Sequence, residues 1–299
     1  MPDPDGSREI LQRLSQIDVR RQGGQHGVKM AARRPRLRRS EEAARPWTLT
    51  DVIVIALTLL AAGVVSSLII GNRLTNLLPE VGVVWVRIVL LVVFYAIELG
   101  VLALLAYRRK LSFAAAYRLR RLTEAQRAGT GERDTRDGSE RATLSARPLS
   151  GKRAVVAVVL ISLMLRLAAF GWTLLATRLL NWPTPAAESM TYLFGRSAAG
   201  AVAAVLIVAV LGPFIEELAF RVIIQEWFAA RLKIPLAAVV TSAIFAASHI
   251  SLWAAPLYVL LGFATAWLAY RCKTIWPTVI LHAIYNATAV IAAFYLLGK

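Results

Sequence analysis

The chain has 299 residues, 57 % of them hydrophobic, and 35 Lys or Arg against 18 Asp or Glu give it a net charge of +17. Such a charge on a soluble domain would suggest nucleic acid, but here most basic residues stand outside apolar windows of about twenty residues, each long enough to cross ~30 Å of hydrocarbon as a helix. Nucleic acid is therefore not an expected partner; the single cysteine, Cys272, excludes an intrachain disulfide, and without a CxxC or His-rich tract there is no ready-made structural metal site.

The first 47 residues are polar and Arg-rich, without the apolar centre of a cleavable signal peptide. They read as a largely disordered basic tail, within which "REILQRLSQIDVRRQ" has the pattern of a short amphipathic helix for an anionic membrane surface. Seven apolar spans follow, at about 50–71, 88–107, 154–177, 197–224, 235–252, 255–270 and 275–297. Residues 48–107 hold the first two, residues 108–153 form a basic segment dotted with Gly and Ser that reads as a disordered loop, and 154–299 complete the bundle. The expected fold is thus all-α, a polytopic transmembrane helix bundle of about seven spans. An eighth would reverse the side of the C-terminus, and the sequence leaves no room for one. The tight 235–270 region fits either two full crossings or a re-entrant pair.

With the N-terminus in the cytoplasm, 28 of the 35 basic residues lie inside and only Arg73, Arg87, Arg178, Arg196 and Lys299 outside, while Arg166 and Arg221 fall within spans. That bias predicts an integral protein, of the plasma membrane, with its N-terminus cytoplasmic and its C-terminus outside. The basic tail and loop make anionic lipid an expected partner. No internal repeat is evident, which weighs against a proton-coupled transporter built from inverted repeats.

Ionisable groups in hydrocarbon cost at least ~2.5 to 3.5 kcal/mol each on insertion scales, so each needs a partner or a function. Glu98 and Arg166, in the second and third spans, are expected to pair with each other as a structural ion pair. In the fourth span "FIEELAFR" carries three charges. Glu217 and Arg221 are four residues apart and face the same way, in the favoured orientation for a pair along a helix. Glu216 is rotated about 100° from Glu217 and is left without a local cation, which suits a general base. His249 lies in the fifth span, and His282 and Asn286, four residues apart, share one face of the seventh. From chain position alone Glu216 and His249 lie about 20 Å from their helix ends and His282 about 10 Å, so convergence requires a tilted or displaced helix.

Three clusters in order, "EELAFR", "FAASH" and "HAIYN", fit EExxxR, FxxxH and HxxxN. The chain in this respect resembles the CPBP family, the CAAX-protease and bacteriocin-processing (Abi) family of intramembrane proteases, over about residues 197–297. The resemblance implies a C-terminal four-helix catalytic core and hydrolysis of peptide bonds in membrane-associated proteins or peptides. By motif position Glu216 would activate water with help from His249, His282 and Asn286 would stabilise the oxyanion, and Glu217 and Arg221 would support them. No cofactor is expected. The alternative is a zinc enzyme with Glu216, His249 and His282 as ligands, although the paired HExxH spacing is absent. A different class of function, a non-catalytic membrane scaffold or bacteriocin-immunity protein, would keep the bundle and use the basic segments to bind lipid or an acidic partner.

Overall fold

The computed structural model describes residues 47–70, 80–119, 149–182 and 188–296, and every regular element in them is helical. In chain order these are α1 (Leu49–Ile70), α2 (Glu80–Arg108), the single turn α3 (Phe113–Ala116), α4 (Gly151–Leu179), α5 (Glu188–Phe194), α6 (Ala198–Ala229), α7 (Ile234–Ser248), α8 (Ala255–Cys272) and α9 (Trp276–Ile291), the last extended by a π-helical turn to Leu296. Helices occupy all seven apolar windows of the sequence, and among the described residues α2, α4, α6 and α9 are both long and apolar enough to cross a membrane. At 15 residues α7 is short of a crossing at 1.5 Å per residue. The chain is an integral membrane protein by these helices, with four candidate spans among the described residues; the expected count of about seven is not settled by them.

Local chemistry sets the boundaries. Thr48 and Asp51 exchange hydrogen bonds across the first turn of α1, the Thr48 amide and hydroxyl both donating to the Asp51 carboxylate. Ser150 and Ser197 cap α4 and α6 by accepting from the Arg153 and Gly200 amides. Prolines in the first turns of α7, α8 and α9 cost no hydrogen bond there. Lys273 ends α8 in the left-handed conformation, φ 54°, which lets the chain turn directly into α9.

The bundle is apolar outside as well as inside. Val155, Val159, Leu163, Leu167 and Phe170 run along α4 more than half exposed, as a lipid-facing stripe requires and an aqueous surface would not. Polar groups turn inward: Arg87, Glu98, Glu217, Arg221, Gln225 and His282 are all buried. Small residues allow close approach where α7 meets α8, and a Cβ added at Gly262 would lie 3.0 Å from the Ser242 Cα.

Two sequence expectations change here. The basic segment after α2 begins later as a loop than its composition suggests, because residues 109–119 are built into the bundle. Trp47 stacks on Tyr117 and lies beneath the Arg109 guanidinium. The Tyr117 hydroxyl donates to the Leu102 carbonyl, and burial pushes its ionisation well above the ordinary tyrosine range. Arg118 pairs with Glu226 at 2.8 Å, its carbonyl accepts from Ile275 N and Thr274 Oγ1, and the Trp276 indole donates to the Leu119 carbonyl. The rest of that loop and the N-terminal tail up to residue 46 lie outside the described residues.

The second change is that Glu98 and Arg166 do not pair. Arg166 donates from Nη2 to the Tyr285 carbonyl at 2.9 Å and stacks 4.0 Å above the Tyr285 ring, while Glu98 keeps a buried Oε2 without a hydrogen-bond partner among the described residues. A guanidinium can spread its charge over an aromatic face and a carbonyl, so Arg166 finds its compensation on α9.

Candidate active site

Between Gly212 and Glu217, α6 is an ordinary α-helix bracketed by π-helical stretches, Val205–Leu211 and Leu218–Ile224. Widened turns of this kind shift the helix face and free backbone carbonyls, and the Val208 carbonyl in the first stretch accepts from Asn286 Nδ2 at 2.9 Å. Glu216 and Glu217 point into the bundle from the ordered piece between them.

Glu217 is fully buried and doubly engaged. Its Oε2 accepts from Arg221 Nε at 3.0 Å and its Oε1 faces His282 Nδ1 at 3.1 Å. Arg221 Nη1 continues to Gln225 Oε1 at 3.5 Å, and Gln225 Nε2 donates to the Ala266 carbonyl on α8. The Glu217–Arg221 pair matches the four-residue spacing of the sequence. The link to His282 does not follow from any spacing, since 65 residues separate the two.

Glu216 is one-fifth exposed, and its Oε2 lies 3.7 Å from His249 Nε2 and 3.9 Å from His282 Nε2. The Nδ1 atom of His249 meets the Phe245 carbonyl at 2.8 Å and that of His282 meets the Glu217 carboxylate, both oxygens that accept only. Each imidazole therefore holds hydrogen on Nδ1 and turns Nε2 toward Glu216. α7 ends at His249, which caps it, so the helix need not extend to the depth that the sequence implied. Aromatic rings fix the imidazoles: His249 stacks 4.0 Å on Tyr258, and Phe245 stands 4.7 Å from His249 and 5.5 Å from His282. Tyr258, on α8, has no signal in the sequence that separates it from a packing aromatic.

Of the expected site residues, Glu216, Glu217, Arg221, His249 and His282 form one connected cluster. Asn286 stands one turn along α9 from His282 with one amide hydrogen on the Val208 carbonyl, leaving the second free. Among the described residues no group of three or more His, Cys, Asp or Glu side chains is arranged to hold a metal ion.

A helical membrane protein with a carboxylate and two imidazoles gathered between its helices belongs to the general class with intramembrane polar sites. Residues 198–288 match the family model described as type II CAAX prenyl endopeptidase Rce1-like. A protein named putative membrane peptidase YdiL, from Bacillus subtilis (strain 168), is 32 % identical over 87 residues, covering 29 % of this chain and 36 % of that one. Both likenesses are confined to part of the chain, and the residues before 198 lie outside the family match. The chain thus matches little more than a third of the length of this curated relative. No solved structure matches.

Proposed function

We propose that the protein is an intramembrane endopeptidase that hydrolyses peptide bonds of membrane-associated proteins or peptides with water activated by Glu216. The observation that carries this reading is the meeting of one carboxylate oxygen with two imidazole Nε2 atoms, within 4 Å of it, between the helices of the bundle. Glu216 takes a proton from water as the oxygen attacks the scissile carbonyl, with His249 orienting that water. His282, steadied through Nδ1 by Glu217 and acting as an imidazolium whose Nε2 also carries hydrogen, and the second amide hydrogen of Asn286 stabilise the oxyanion. The tetrahedral intermediate then collapses, and the proton held by Glu216 passes to the leaving amine. A positioned general base contributes ~10² to 10⁴ in rate and an oxyanion donor ~10² to 10³. Exclusion of water strengthens both. The excess of basic residues in the tail and the 108–153 segment supports a cytoplasmic N-terminus and a surface of anionic lipid as partner.

The test uses full-length protein purified in detergent, a library of single-span membrane proteins, and a peptide ending in a prenylated cysteine and three further residues, as the matched family's description suggests. Glu216→Ala is expected to abolish cleavage while a chelator leaves it intact. Equal cleavage by Glu216→Ala overturns the role of Glu216. Loss with chelator and recovery with zinc favours the metal mechanism with Glu216, His249 and His282 as ligands. Absence of cleavage by the wild type across both substrate sets, with retained salt-dependent binding to anionic liposomes, favours the scaffold.

A further inference from the structure

α4 lies outside the family match, and it is the span least enclosed by its neighbours: 17 % of its window is buried, against 44 % in α6. Yet its two principal polar contacts reach the two segments that carry the histidines. Arg166 donates to the Tyr285 carbonyl and covers the Tyr285 ring, immediately before Asn286 and one turn beyond His282. Less than two turns further along α4, Trp172 Nε1 donates to the Trp253 carbonyl at 2.9 Å, and the two indoles meet edge to face at 6.4 Å. Trp253 lies in the connection that follows His249 and leads to Tyr258.

An intramembrane arginine is ordinarily held by an acid, but among the described residues no carboxylate stands within 4.0 Å of Arg166, and its anchorage is the backbone and ring of a single residue of α9. Both faces of α9 are then fixed around Asn286: Arg166 holds Tyr285 from α4, and the Val208 carbonyl holds Asn286 from α6. α4 packs its Val158 and Leu165 face into the core beside α8 and α9 and turns Leu163, Leu167 and Phe170 outward, and Arg166 and Trp172 add the polar contacts to that packing.

We propose that α4 acts as a clamp on the catalytic face, in which Arg166 is a positioning residue that sets the register of His282 and Asn286 through Tyr285, and Trp172 does the same for the His249 segment through Trp253. This rests on the peptidase reading for its kinetic consequence and not for its structural one. Arginine is required because its flat guanidinium stacks on the ring while donating to the carbonyl; a lysine keeps the charge and can donate but has no flat face to lie on the ring.

The experiment has two arms on the full-length protein in liposomes. Backbone hydrogen exchange is followed in Arg166→Met, Tyr285→Leu and Trp172→Phe, with Leu163→Ala on the lipid face as control. The expected result is faster exchange, by about tenfold, confined to residues 282–290 in the first two variants and to 249–254 in the third. In the kinetic arm, with a quenched fluorogenic membrane-span peptide as probe, Arg166→Met lowers kcat about ten- to hundredfold with KM little changed. Arg166→Lys recovers part of that loss, and the Arg166→Met, Tyr285→Leu double variant is no slower than the slower single. Unchanged local exchange, or exchange accelerated uniformly with a lower melting temperature, overturns the clamp. Additive kinetic losses, or full activity in Arg166→Met, overturn it as well. If neither the wild type nor any variant cleaves the probe, the peptidase reading has failed and the exchange arm alone decides the clamp.

Discussion

At the scale of single residues, the site separates two adjacent glutamates by what surrounds them. Glu217 is committed to Arg221 and His282, whereas Glu216 meets only Nε2 atoms beyond hydrogen-bond range. Replacing Arg221 by Met strands a fully buried carboxylate, and loss of one partner of such a pair costs about 3 to 5 kcal/mol. Arg221→Met is therefore expected to lose folded protein in a detergent thermal melt, while Glu216→Gln keeps the wild-type melting curve and loses activity. Glu98 presents the opposite case. It is 3 % exposed, with one carboxylate oxygen buried and unpartnered among the described residues. Burial of such a group without a partner costs about 1 to 3 kcal/mol or more, so Glu98→Leu should raise the melting temperature. A lowered one would show that Glu98 is held by interactions of its own. The four-residue spacing made the Glu217–Arg221 pair readable in the sequence. Which carboxylate meets His282, and that Arg166 chooses an aromatic ring over Glu98, depend on contacts between helices remote in the chain, which no local period encodes.

At the scale of elements, the close packing of α7 on α8 brings His249 against Tyr258. Gly262 makes that approach possible, and its space is bounded by the Ser242 backbone rather than by a movable side-chain end. Gly262→Val should separate the helices at this crossing, with overpacking of about 1 to 3 kcal/mol, and lower cleavage in parallel with stability. Gly262→Ala should have the smaller effect of the two. Helix positions were readable because apolar runs of this length are unambiguous. The two π-helical stretches of α6 were not, since a turn widened by one residue leaves composition and hydropathy unchanged. The end of α7 at His249 was also hidden, because the apolar run continues through Ile250 and Leu252.

At the scale of the whole molecule, the charge bias predicts a topology that reporters can read. Fusions after Lys299 should be exposed outside and fusions at the N-terminus should face the cytoplasm; the reverse result would dissociate the basic loop from topology. The same measurement counts the full crossings, to which α1, α7 and α8 are the undecided contributors. The end of the bundle at Arg118 has a further consequence. Its carbonyl and the Trp276 indole bond moor the chain to the start of α9, while the Arg118–Glu226 pair ties it to α6. Whatever grips the polypeptide beyond Leu119 therefore tugs on the same rod that bears His282, as a rope made fast to a tiller.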